Sequence, residues 1–129
     1  HLLRFDVAEA ALTDLTGSES VSDSGPAWSP DGRQIAFLRR TVNDGQFERG
    51  NQIWLMNGDG GDARPLTTAP EILYQNLVWS GDGRYLLYQQ YDLETSLAKA
   101  SIWLLDLTNG EARLIANPGN NPGWLRWQD

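Results

Sequence analysis

The chain has a single histidine, His1, at its start, and no cysteine. A serine nucleophile needs a base within reach and, in α/β hydrolases, a Gly-x-Ser-x-Gly elbow; neither pattern occurs. Carboxylates are more plentiful, with 17 Asp and Glu in 129 residues, but they lie on turns spread along the chain. Asp92 and Glu94 are spaced to share a cleft, yet charged loop residues are ordinarily just solvated. Asn57-Gly58-Asp59-Gly60-Gly61-Asp62 approaches a calcium loop. That loop closes with a bidentate Glu at its twelfth position, which here is Thr68. A Gly-rich hairpin turn accounts for the string, and a similar turn follows at 106–110. These residue types lead to no catalytic constellation, metal site or cofactor. No enzyme is expected within this chain, while a catalytic domain on a longer polypeptide stays open.

The aromatic residues could serve recognition. Among the 6 tryptophans, Trp28, Trp79 and Trp127 recur at steps of roughly fifty residues, and Trp54 and Trp103 at nearly the same step. Aromatics that recur with a repeat ordinarily pack between its units, because they dominate core energetics. Trp124 breaks the spacing and is expected at the surface, where with Tyr91 it could meet a saccharide or another small ligand.

The recurrence extends beyond tryptophan. Gln52-Ile53-Trp54-Leu55-Met56 matches Ser101-Ile102-Trp103-Leu104-Leu105, with a weaker echo at His1-Leu2-Leu3-Arg4-Phe5. Each of these runs leads through Asp6, Asn57 or Asp106 into a turn and a second short strand. Pro26-Ala27-Trp28-Ser29-Pro30-Asp31-Gly32-Arg33 returns as Leu77-Val78-Trp79-Ser80-Gly81-Asp82-Gly83-Arg84. It reads as a strand, a tight turn and a second strand: Pro presets φ, Asp bonds its own backbone and Gly takes the left-handed position. In 34–39, Ile35 and Phe37 face one way and Ala36 and Leu38 the other. A strand apolar on both faces must be covered on both. A tandem repeat near fifty residues with about four short strands per unit is the signature of a propeller blade.

The run from Trp28 to Arg33, then Ile35-Ala36-Phe37, Ile53-Trp54-Leu55-Met56, Gly60-Gly61 and Arg64-Pro65-Leu66-Thr67, resembles the TolB-type (WD-like) β-propeller repeat. The second repeat departs at Gly81, where the pattern has Pro, and at Leu114-Ile115-Ala116, where it has Leu-Thr. The expected fold is all-β, a partial β-propeller. It comprises two complete four-stranded blades (26–67 and 76–116), the outer half of a preceding blade (1–16) and the inner strand of a following one (124–127). Residues 17–25, 40–51, 68–75 and 117–123 are expected as loops and connectors, with a helical turn within 93–100. The resemblance implies non-catalytic protein or peptide binding, or scaffolding, outside the cytoplasm (periplasmic or secreted). The alternatives are the accessory propeller of a larger prolyl-oligopeptidase-like hydrolase and a saccharide-binding propeller.

A net charge of −7, with Lys99 the sole lysine, offers no basic stripe for nucleic acid. No apolar run suggests membrane insertion. Closed propellers need roughly four to eight blades. The ring is therefore expected to be completed either by the remainder of a longer polypeptide, with Asp129 near its C-terminus, or by copies of this chain in a homo-oligomer. A protein or peptide partner is expected on the face of the long loops, near the ring axis. Arg40, Asp44, Phe47, Arg49, Tyr74, Tyr91, Asp92 and Trp124 are the candidate contacts, since binding residues concentrate on loops of rigid scaffolds.

Overall fold

The computed structural model describes residues 1–95, 99–117 and 125–128. Among them there is no helix. β1 (Leu3–Asp6) and β2 (Ala11–Asp14) form a two-stranded antiparallel sheet. β3 (Val21–Trp28), β4 (Gln34–Asn43), β6 (Gln52–Asn57) and β7 (Arg64–Pro65) follow as a meander in spatial order, with β5 (Gln46–Phe47) beside the end of β4. β8 (Ile72–Trp79), β9 (Tyr85–Asp92), β10 (Ser101–Asp106) and β11 (Ala112–Ala116) form the next four-stranded meander. This is a half-blade followed by two full blades, a partial β-propeller.

Strand alternation builds the packing. On β4 and β6, Ala36, Leu38, Ile53 and Leu55 face the second blade and meet Tyr74, Trp79, Leu86, Tyr88 and Leu105. Ile35, Phe37 and Met56 face the half-blade and meet Leu2, with Leu15 and Trp54 at the margin. The tight turns repeat almost atom for atom. The Ser29 hydroxyl accepts from the Gln34 N–H at 2.9 Å and donates to Asp31 at 2.6 Å, and Asp31 accepts from the Arg33 N–H at 3.0 Å. Ser80, Asp82, Arg84 and Tyr85 reproduce those three bonds at the same distances. Gly32 and Gly83 hold φ of 71° and 72°. Pro30 or Gly81 at the second turn position therefore makes no difference to the loop.

Several expected loops are strand. The stretch 17–25 is not a connector throughout, because β3 begins at Val21. Polar Ser22, Asp23 and Ser24 pair with Arg40, Arg39 and Leu38. In the same way β8 occupies much of 68–75. Both inner strands carry a bulge three residues before their tryptophan, at Gly25 (φ 57°) and Asn76 (φ 55°). The extra residue bends each strand. Likewise 40–51 is no open loop. β4 runs on to Asn43, and Asp44-Gly45 turns it at φ 50° and 74°, the two-residue type I′ geometry that Asp-Gly favours.

The tryptophans do not share one fate. Trp79 is buried and its indole N–H donates to Ala27 O in the first blade at 2.9 Å. Trp28, at the same repeat position, is 47% exposed beside the half-blade. No inner strand stands beside it among the described residues to play the part that Ala27 plays for Trp79. Of the expected inner strand at 124–127, Trp124 lies outside the described residues, and 125–128 carry no strand pairing. Trp127 stacks on Tyr85, with ring centroids 6.4 Å apart and planes 12° from parallel. The connector at 118–123 lies outside the described residues, as does 96–98 of the expected helical turn.

Candidate functional site

The long loop of the first blade is built against the inner edge of the second. Gly50 approaches the 70–72 backbone so closely that a Cβ there would lie 2.3 Å from Pro70 O and 2.4 Å from Ile72 O. The Asn51 N–H donates to Ile72 O at 3.2 Å. Its side chain then bridges the next strand residue on that edge. Oδ1 accepts from the Tyr74 N–H at 2.7 Å and Nδ2 donates to Tyr74 O at 3.1 Å. A strand edge with unpaired groups invites wrong partners, and here one asparagine pairs it. Arg49 extends the same bridge, donating to Glu71 at 3.3 Å and to Leu93 O at 3.2 Å.

Inside this bridge, on the side nearer β3, lies a cleft of about 230 Å³ lined by Ser22, Ser24, Leu38, Arg40, Phe47 and Asn51. Register puts these residues there: Ser22 is opposite Arg40, Ser24 opposite Leu38, and Phe47 opposite Val42. Arg40 is half-buried, while Phe47 is exposed. The cleft thus offers one guanidinium, two hydroxyls and an aromatic wall, a set suited to holding an extended polar chain rather than to breaking a bond.

The candidate residues distribute unevenly around it. Arg40 and Phe47 line the cleft; Arg49 bridges the blades above it. Asp44 forms the β4–β5 turn, away from the cleft lining. Asp92 accepts from the Glu94 N–H at 2.9 Å and shapes the second blade's loop. Tyr74 and Tyr91 are strand residues and are buried, not loop contacts. Tyr74 packs edge-on to Tyr88 with centroids 5.5 Å apart. Burial pushes the Tyr74 hydroxyl up, partly offset by its hydrogen bond to Thr67, and burial does the same to Tyr91. With Tyr91 enclosed and Trp124 outside the described residues, the paired aromatic platform for a saccharide does not form from described residues. Ser22, Ser24 and Asn51 belong to the site and carried no signal as single polar residues in apparent loops.

A second cleft, of about 480 Å³, opens on the far face of the second blade beside Tyr85, Leu104, Asp106 and Arg113. The Asp106 carboxyl is held down to about 2 by the Arg84 guanidinium at 2.8 Å and by the Thr108 hydroxyl and N–H. Those bonds fix the β10–β11 turn.

Solved structures resemble this arrangement over most of the chain. A TolB-type protein from Agrobacterium tumefaciens superposes with a TM-score of 0.68 over 87% of this chain and 39% of its own, at 23% identity. The chain has a TolB-type β-propeller fold. The propeller also matches an oligogalacturonate lyase in complex with manganese (TM-score 0.64, 23% identity, 87% of this chain and 29% of that one). The β-propeller domain of the Trilobed protease from Pyrococcus furiosus, described with an open velcro topology, matches at a TM-score of 0.59 and 22% identity, over 85% of this chain and 32% of that one. At these identities the likeness is one of fold.

Two curated proteins match parts of the propeller in sequence. An uncharacterized peptidase of Bacillus subtilis (strain 168), YuxL, is 40% identical over 62 residues, 48% of this chain and 8% of that protein. A protein of Oryza sativa subsp. japonica named as a probable chloroplastic glutamyl endopeptidase is 30% identical over 64 residues, 46% of this chain and 7% of that protein. The chain thus spans less than a tenth of either relative. No family model matches it. These matches correct the expectation of no enzyme within this chain: the relatives are named as peptidases, and a lyase shares the fold. A stretch matching less than a tenth of such a protein need not hold its nucleophile and base. Among the described residues no helix is long and apolar enough to cross a membrane, which says nothing about a β-barrel.

Proposed function

We propose that this chain is a propeller segment of a peptidase similar to the prolyl-oligopeptidase type, and that the Arg40 cleft on its long-loop side guides a peptide toward the hydrolytic site. The observation that carries this reading is the 40% identity over 62 residues to a protein named as a peptidase. The geometry supports it. The cleft lies on the first blade and is lined by hydrogen-bonding groups and one aromatic face, which an extended peptide can use for main chain and side chain together. The extracytoplasmic setting implied by the TolB resemblance belongs to the same reading, and cell fractionation tests it.

The decisive experiment is on the polypeptide that carries this sequence. Its remaining sequence is expected to include an α/β-hydrolase domain with Ser, Asp and His in triad order, and the purified protein is expected to label with a fluorophosphonate. A polypeptide without that domain, or one that stays unlabelled while folded, overturns the reading.

A further inference from the structure

Arg39 and Arg40 are neighbours on β4 whose side chains take opposite faces. Arg39 is fully engaged. Its Nε donates to Asp23 Oδ1 at 2.7 Å and its Nη2 to Asp23 Oδ2 at 2.8 Å, and the guanidinium lies 5.1 Å and 4.5 Å from the Phe37 and Trp54 ring centroids. The Asp23 side chain is wholly enclosed. This is the two-pronged pairing that a guanidinium favours with a carboxylate. Arg40 has nothing comparable: among the described residues no carboxylate or carbonyl accepts from it. Yet it is half-buried in a cleft, in a chain with 17 acidic and 10 basic residues. A partly desolvated cation without an acceptor is unfavourable unless something completes it.

We propose that the Arg40 cleft recognises a peptide carboxylate, from an acidic side chain or from the chain terminus. The proposal rests on the reading that a peptide enters this cleft and names what the cleft selects. The Arg40 fork supplies two parallel donors, and the Ser22 and Ser24 hydroxyls on the opposing strand supply two more. Phe47, 58% exposed, walls the cleft for the aliphatic part of the residue that carries the carboxylate. Asn51 adds nothing directly, because its amide is engaged by Tyr74. An ammonium group would meet the like charge of Arg40, so the arrangement selects against a basic peptide.

The test is binding of three fluorescein-labelled hexapeptides to the full chain, followed by anisotropy. One carries an internal Glu and an amidated end, one an internal Gln and a free carboxylate, and one an internal Gln and an amidated end. At least one carboxylate peptide is expected to bind about tenfold more tightly than the neutral one, as a charge-assisted pair implies, and the arm that gains identifies the source. Arg40→Met is expected to erase the difference. Arg64→Met, which removes the same charge from the exposed β7, is expected to leave it. Should R40M unfold, the S22A/S24A pair serves instead, with a severalfold loss expected. Equal binding of all three peptides, or a preference surviving in R40M, overturns the carboxylate proposal and leaves the peptidase reading intact. Absence of any binding overturns it as well, and the peptidase reading then depends on the fluorophosphonate result alone.

Discussion

Asn51 is where the two blades are most exposed to a single substitution. Asn51→Ala deletes the hydrogen bonds of 2.7 Å and 3.1 Å to the Tyr74 backbone. Each such bond is worth about 1 kcal/mol net, and a buried group left without a partner costs about 1–3 kcal/mol. Tyr74 is buried, so water does not readily replace the lost amide. The expected loss is about 2–4 kcal/mol. For a chain of this length that corresponds to a fall in Tm of about 10 °C. Urea melts followed by tryptophan fluorescence and by far-UV circular dichroism measure it. Asn51→Asp separates geometry from mere occupancy: it keeps the acceptor for the Tyr74 N–H but sets a carboxylate oxygen against Tyr74 O, so it is expected to recover little. A loss below about 0.5 kcal/mol for the alanine variant, or full recovery by aspartate, would refute the claim that this side chain pairs the edge of β8.

Gly50→Ala places a methyl group against two backbone carbonyls. It is expected to cost about 1–3 kcal/mol by overpacking, read from the same melts. Trp79→Phe removes the indole bond to Ala27 O and is expected to cost about 1–2 kcal/mol, whereas Trp28→Phe, with no such bond, is expected to change stability by much less. The Asp106 carboxyl is expected to titrate at about 2 by NMR, and to move up toward the ordinary carboxylate range in Arg84→Ala. Because its folded value is depressed, the stability that it contributes is fully present above about pH 4 and disappears as pH falls from there toward 2; a pH-melt series that stays flat across that window in wild type would contradict this.

What the sequence showed and hid follows from where each residue's partner lies. The Trp-Ser-x-Asp-Gly-Arg turns were legible because Ser29, Asp31 and Gly32 bond within a few residues of themselves. The β4 alternation was legible because both faces are apolar. The start of β3 was not, because Asp23 is made buriable by Arg39, a partner 16 residues away that composition does not reveal. The Arg40–Asn51 stretch looked like a loop because most of its strand residues are polar, Val42 and Phe47 apart, even though Asp44-Gly45 marked its turn. The cleft depended on register: only the pairing of Ser22 with Arg40 brings hydroxyl and guanidinium together. Asn51 had no local sign at all, since its role comes from the blade beside it and its counterpart in the second repeat, Ala100, cannot repeat it.

The bond from Trp79 to Ala27 has a direction. The second blade gives an indole proton to the first, which offers the Ala27 carbonyl. Such a joint is head-to-tail, so it does not end itself as a two-fold contact would. Trp28 stands at the donor position of the first blade, and Val78 at the position in the second blade that Ala27 holds in the first. Stacking by this rule adds units one way round and has no preferred last member.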